Sequence, residues 1–118
     1  MIELTLPFPP SINHYWKHRN IGSSVYISAE GIKYRQIVEI EARKYESLGA
    51  ARVSVYMVLY APNKRKFDID NRVKGLFDAL THARLWDDDE QVDELIIRRG
   101  DIQKNNGQVK ISIVPMPQ

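Results

Sequence analysis

The sequence predicts an α+β single domain, a small mixed or antiparallel sheet with two helices in the order β-α-β-α-β-β. Three observations carry that expectation. IELTL at 2–6 and RVSVYMVLY at 52–60 alternate their apolar residues with the period of a strand. The stretch from Ile69 to Leu80 repeats its apolar residues with the period of a helix. At 118 residues, with 43% apolar and 27% charged side chains, the chain has the size and composition of one globular unit around one core.

The first strand sets Ile2, Leu4 and Leu6 on one face and Glu3 and Thr5 on the other. Residues 7–27 follow, with three prolines and no helical period, and read as a long structureless connection. Such stretches are uncommon inside a compact domain and are often functional. Ser28 is placed to cap a helix running to about Leu48, with Gly49 ending it. Its apolar face holds Tyr34, Ile37, Val38, Tyr45 and Leu48 and is interrupted by Glu41. In the strand at 52–60, Val53, Val55, Met57 and Leu59 face one way and Tyr56, Val58 and Tyr60 the other, so apolar residues on both faces predict a central strand. Ile69, Val73, Leu76, Phe77 and Leu80 then form one stripe of a helix from Asp70 to about Arg84. WDDDEQ is a polar connection. VDELIIRR and QVKISIV read as two strands around KNNG, where Asn106-Gly107 predicts a tight hairpin turn.

Composition narrows the function. No apolar run approaches the roughly 20 residues that span a bilayer, so no membrane partner is expected. The N-terminus carries Glu3 and no cationic segment, which argues against a secretory signal. With no cysteine, disulfides and thiolate-bound zinc are excluded, which fits a reducing cytoplasm, and a cytoplasmic protein is expected. A net charge of +2 is too small to argue nucleic-acid binding. Its distribution says more: residues 1–67 carry ten Lys/Arg against five Asp/Glu, and residues 68–118 seven against ten.

The chemistry concentrates in KFDIDNRVKG, residues 66–75. Asp68 and Asp70 are two apart at a strand-to-helix transition and point to one side of extended chain. Lys66, Arg72 and Lys74 crowd around them, with Lys74 one helical turn beyond Asp70. One reading is a capped helix with a solvated Asp70/Lys74 pair. The other is an acidic pocket for metal and phosphate. A second acidic run, Asp87, Asp88, Asp89 and Glu90, follows Trp86 at the far end of the same helix. That helix is roughly 21 Å long, so the two groups meet only if the chain doubles back.

Two carboxylates 4 Å apart repel by about 4 kcal/mol at an effective dielectric of 20. A converging cluster would therefore take up protons or bind a cation. Carboxylate oxygens select Mg²⁺ or Mn²⁺ over zinc, and a lysine beside them suits an anionic substrate. Together these are the parts for phosphodiester hydrolysis. Lys64, Arg65 and Lys66 can track a phosphate backbone or form a solvated loop. HYWKHR, residues 14–19, mixes aromatics and cations as nucleic-acid stacking surfaces do, or packs the loop onto the domain. His14 and His18 are four apart where no helix is expected, which argues against a zinc site. His82 is expected on the exposed side of its helix.

The chain resembles the RusA family of Holliday junction resolvases over almost its whole length. The resemblance rests on LPFPPSINHYW after the first strand, SAEGIKYR opening the first helix, DIDNRVKGLFDAL and LWDDDEQV, in this order and spacing. It implies that Asp68, Asp70 and Asp89 hold Mg²⁺, with Mn²⁺ able to substitute, and that Lys74 is essential. Asp88 is the neighbour that leaves the third ligand open, and Asn71 matches the motif in a supporting role. Candidate DNA contacts are Lys64, Arg65, Lys66, Arg72, Lys17 and Arg19, with Arg98 and Arg99 as another basic surface. The family implies a homodimer, from bacteria or their phages and prophages, that cuts four-way junctions by paired symmetric incisions in recombination and repair. Twofold symmetry of the junction and one acidic site per chain fit a C₂ dimer. Two rivals remain: a non-catalytic DNA- or RNA-binding module with a structural acidic cluster, and a metal-dependent phosphoesterase for smaller substrates. Gly75, poor for a helix interior, has no account from sequence.

Overall fold

A computed structural model describes residues 1–18 and 25–117. Its main sheet holds four strands: β1 (Ile2–Pro7), β4 (Val53–Tyr60), β5 (Val92–Arg99) and β6 (Gln108–Pro115), in the order β1-β6-β4-β5. The sheet is mixed: β4 runs parallel to β5 and antiparallel to β6, and β6 runs antiparallel to β1. β4 is central, as its apolar faces predict. A parallel neighbour requires a crossover, and the crossover is α3 (Val73–His82), entered through a 3₁₀ turn at Ile69–Arg72.

One face of the sheet forms the core. Alternate residues Ile2, Leu4 and Leu6, then Val53, Val55, Met57 and Leu59, then Val109, Ile111 and Ile113 are all buried. They pack under α2 (Ala29–Ala42), which buries Tyr34, Val38 and Ala42, and under α3, which buries Val73, Leu76, Phe77, Ala79 and Leu80. The result is a two-layer α+β domain.

Four expectations are corrected. Residues 7–27 are not structureless: they hold a short helix α1 (Ile12–Tyr15) and a ribbon of β2 (Trp16–His18) against β3 (Val25–Ile27). Ser28 explains the local order, because its Oγ donates to the His14 carbonyl and accepts from Gly31 N while its backbone N donates to the Tyr15 carbonyl. The helices therefore number three among the described residues, not two.

Second, α2 stops at Ala42 rather than Leu48. Beyond it Tyr45 donates its hydroxyl to the Glu3 carbonyl at 2.7 Å and Leu48 N donates to the Leu85 carbonyl at 2.8 Å, contacts that pull the chain off the helix axis. Gly49 does adopt a left-handed φ of 58°, but in the loop that follows. Third, the last helix begins at Val73, after the 3₁₀ turn, and ends at His82; Arg84 is left-handed.

Fourth, β5 and β6 form no hairpin. β4 lies between them, and residues 100–107 cross over its end, tied by Gly100 N to the Leu59 carbonyl, Gln103 N to Ala61 and Asn105 N to Pro62. The left-handed residue there is Asn105, not Gly107. The apolar β4 needs a partner along each edge, and that demand overrides the local turn signal at Asn106-Gly107.

Candidate active site

Three segments meet at the start of α3. Asp68 occupies the N-cap position of the 3₁₀ turn, Asp70 lies in that turn, and Lys74 sits in the first turn of α3. Asp89 opens a second 3₁₀ turn (Asp89–Gln91) that leads into β5. The chain after α3 doubles back along it. Trp86, fully buried, packs edge-on against Phe77 with centroids 5.2 Å apart and donates its indole N–H to Thr81 Oγ1 at 2.7 Å. One step further on, Lys74 Nζ meets Asp89 Oδ2 at 3.2 Å. The return brings Asp89 to the lysine at the start of α3.

The solvated-cap reading does not describe these side chains. Asp68 makes no side-chain cap hydrogen bond, and Lys74 pairs with Asp89, fifteen residues on, rather than with Asp70. Among the described residues the carboxylates of Asp68 and Asp70 have no hydrogen bond or ion pair, and both are exposed. Asp88 is occupied differently. Its backbone is tied at both ends, the carbonyl accepting from Gln91 N at 3.2 Å and the N–H donating to Gln91 Oε1 at 3.0 Å, so that Gln91 caps the turn from its own side chain. Gln91, buried, also donates to the Gly49 and Ala51 carbonyls and so fixes the entry to β5. Glu90 and Asp93 both take Arg52, whose hydrogen bonds hold the Asp93 carboxyl below the usual carboxylate range.

Asn71 Oδ1 accepts from Ile12 N at 3.4 Å, joining the acidic turn to the start of α1. Behind Lys74, the fully buried Tyr15 donates its hydroxyl to Asp78 Oδ2 at 2.5 Å, and Arg35 joins both, Nε to Tyr15 at 3.0 Å and Nη2 to Asp78 at 2.7 Å. Burial, then the acceptor Asp78, push the Tyr15 hydroxyl well above the ordinary tyrosine value. Tyr15 is therefore core rather than a stacking surface, and half-buried Trp16 packs on it at 4.4 Å. This contact also explains Gly75: a Cβ there would lie 2.9 Å from Tyr15 Cδ2. The ring passes close to the helix beside Lys74, and glycine is the residue that admits it.

The basic residues divide. Lys64, Arg65 and Lys66 are exposed on the loop after β4, where Asn63 Oδ1 accepts from Arg65 N at 2.9 Å; Lys17 is exposed on β2. Arg19 lies outside the described residues. Arg72 is half-buried, its guanidinium 5.0 Å from the Phe8 ring and 5.7 Å from the Phe67 ring, with Nη1 donating to the Pro9 carbonyl. Desolvation lowers its pKa from the usual arginine value. The sequence reading missed Phe67 as an organiser. It packs edge-on against Phe8 at 5.1 Å and lies under Arg99 at 4.1 Å, while Arg99 Nη2 donates to the Phe67 carbonyl at 3.0 Å. The available signal was a lone apolar residue inside the charged run K-R-K-F-D.

The donor set of Asp68, Asp70 and Asp89 is all hard oxygen, which suits Mg²⁺ or Mn²⁺. Among the described residues no three acidic or histidine side chains stand close enough together to hold a metal ion as placed. Lys74 pairs with Asp89, while the carboxylates of Asp68 and Asp70 make no hydrogen bond or ion pair among the described residues.

An α+β domain with a Lys–Asp pair at the start of a helix and two open carboxylates in the turn before it is open to more than one chemistry. Similarity to known proteins makes the class specific. A family model described as endodeoxyribonuclease RusA matches residues 7–114. The chain is 38% identical over 116 residues to the crossover junction endodeoxyribonuclease RusA of Enterobacteria phage HK97, covering 97% of this chain and 94% of that protein. The proteins of the same description from Shigella sonnei strain Ss046 and Escherichia coli strain K12 are 36% and 35% identical, with the same coverage. The chain belongs to the RusA family of endodeoxyribonucleases. Among the described residues no helix is long and apolar enough to cross a membrane.

Proposed function

We propose that the protein is an Mg²⁺-dependent endonuclease that resolves four-way DNA junctions by paired symmetric phosphodiester hydrolysis, acting as a homodimer in recombination and repair. Its relatives are described as crossover junction endodeoxyribonucleases. The observation that supports the reading is the approach of Asp89 to Lys74 at 3.2 Å, with Asp68 and Asp70 left without a hydrogen bond or ion pair among the described residues.

In this reading Asp68, Asp70 and Asp89 hold the ion, and Asp88, tied to Gln91, supports the turn. When bound, Mg²⁺ supplies Lewis-acid charge at a phosphate oxygen. Lys74, freed from Asp89, faces the scissile phosphate and stabilises the negative charge that grows during in-line attack by water. The strand then parts with a 5′-phosphate and a 3′-hydroxyl. Lys64, Arg65 and Lys66 hold the flanking backbone. Each chain supplies one acidic site, so two incisions require two copies related by a twofold axis.

Incubating the purified protein with a four-way junction, with Mg²⁺ and with EDTA, tests this. Paired symmetric cuts are expected with Mg²⁺ alone, and Asp70→Asn is expected to bind the junction without cutting it. Binding without cleavage by the wild type would identify a non-catalytic module, and turnover confined to small phosphate esters would identify a phosphoesterase.

A further inference from the structure

Between the loop after β1 and the loop after β4 lies an open cleft of about 370 Å³. Its surface is mostly apolar, built from Phe8, Pro10, Ile37, Pro62 and Phe67. Its rim is cationic: Lys33, Arg65, Lys66 and Arg72 line it against a single acid, Glu30. Lys66, Phe67 and Arg72 also line the recess around Asp68 and Asn71, so the cleft and the acidic site share a wall. Within that wall Arg72 Nε is buried without a hydrogen-bond partner among the described residues, a donor that a native structure rarely leaves idle.

A duplex arm cannot fill such a space. It presents phosphates outward and keeps its base faces stacked. An apolar hollow ringed by four cations suits a group that is flat and aromatic at one end and anionic at the other. At the small end of ligand-pocket volumes, it has room for one such group rather than a helix or a strand. Bases next to a crossover are the ones whose stacking is already interrupted, so extruding one costs least there.

We propose that this cleft is a single-nucleotide subsite that takes one unstacked base from beside the crossover, with its phosphate on Lys33, Arg65 and Lys66. This rests on the reading of the protein as a junction nuclease and adds to it a contact with a base, not only with backbone. The base would lie against the apolar wall formed by Phe8, Pro62 and Phe67.

The probe is 2-aminopurine, placed in turn at each position within a few nucleotides of the crossover of a four-way junction, in EDTA. Emission should rise on saturation with protein at one position on each cut strand. Ile37→Trp, which narrows the cleft, and Lys33→Glu, which reverses its rim, should each lose that rise and bind the junction about tenfold more weakly, as loss of one stacked base does. If the junction is bound and cut but no position brightens, the subsite is refuted and the nuclease reading stands. If the rise persists in both variants at saturating protein, the unstacked base sits elsewhere and the proposal falls. If Ile37→Trp instead changes the oligomeric state and leaves the emission unaltered, the cleft is filled by another protein surface and the proposal falls as well. If the wild type neither binds nor cuts the junction, the nuclease reading fails and takes the subsite with it.

Discussion

Replacing Lys74 with alanine should move two measurements in opposite directions. In the structure Lys74 Nζ lies 3.2 Å from Asp89 Oδ2, with the two side chains 60% and 26% exposed. An ion pair with that much access to water contributes at most about 1 kcal/mol. Its loss should cost the fold little, and it frees a carboxylate for a divalent ion. The whole of that 1 kcal/mol corresponds to about a fivefold gain in Mn²⁺ affinity, an upper bound for this contribution. Cleavage should fall far more, because a cation facing charge that develops only in the transition state is worth roughly 10²–10³ in rate. Single-turnover cleavage of a four-way junction at saturating Mg²⁺ reads the second effect, and Mn²⁺ titration followed by electron paramagnetic resonance reads the first. Full cleavage by the variant would return Lys74 to surface decoration. Weakened Mn²⁺ binding would show that Lys74 and the metal do not compete for Asp89, and the role given to the pair would be wrong. Lys74→Arg should also be poorly active, since a planar fork does not reproduce a compact ammonium.

Gly75→Ala sets helix propensity, a gain of up to about 1 kcal/mol, against a Cβ placed 2.9 Å from Tyr15 Cδ2, an overpacking cost of about 1–3 kcal/mol. The clash should win, lowering the urea midpoint and slowing cleavage; a stabilised and fully active variant would show that the ring has room to move. Replacing Lys64, Arg65 and Lys66 together with alanine should flatten the salt dependence of junction binding by about 0.9 in log–log slope for each phosphate these side chains neutralise, and an unchanged slope would move the backbone-binding surface elsewhere, such as to Lys17, Arg98 and Arg99. The Asp93 carboxyl is held below its usual range by the hydrogen bond from Arg52, so the unfolded chain takes up that proton first. Its stabilisation should be complete above the ordinary Asp value near pH 4 and fade as pH falls through the lower folded value. Asp93→Asn should flatten that acid limb of stability in urea melts, and an identical limb would mean that the pair is too solvated to matter.

The sequence made some of this legible and hid the rest for identifiable reasons. Strands β1, β4 and β6 were readable because each alternates strictly and buries one face. Strand pairing was not. Asn106-Gly107 carries a hairpin signal, yet which strands neighbour one another is decided by β4, buried on one face and needing a partner along both edges. The end of α2 was invisible because Tyr45 and Leu48 continue the apolar spacing while their actual partners, Glu3 and Leu85, are remote in sequence. Around the acidic site, residue types and spacing singled out Asp68, Asp70 and Lys74, but only the fold shows Lys74 reaching Asp89 instead of Asp70. Asp88 and Asp89 look equivalent in W-D-D-D-E-Q; in the fold the first is tied to Gln91 and the second to Lys74, contacts that spacing does not reveal. Phe67 was obscured because its partners, Phe8 and Arg99, come from the first and fifth strands' ends.

The placement of β6 bears on how the chain is made. β1 has β6 as its one neighbour in the sheet, Ile2 opposite Ile113, so partners about 110 residues apart must meet. Closing a loop of that length costs about 4 kcal/mol against about 1 for a four-residue turn. During translation Leu4 and Leu6 wait with their backbone unpaired until residues 108–115 clear the ribosome, and β4 waits with one edge bare. The nascent polypeptide therefore passes through a period in which apolar strands stand open to chaperones and to one another. A message cut short inside the last strand would yield a chain that cannot close its sheet.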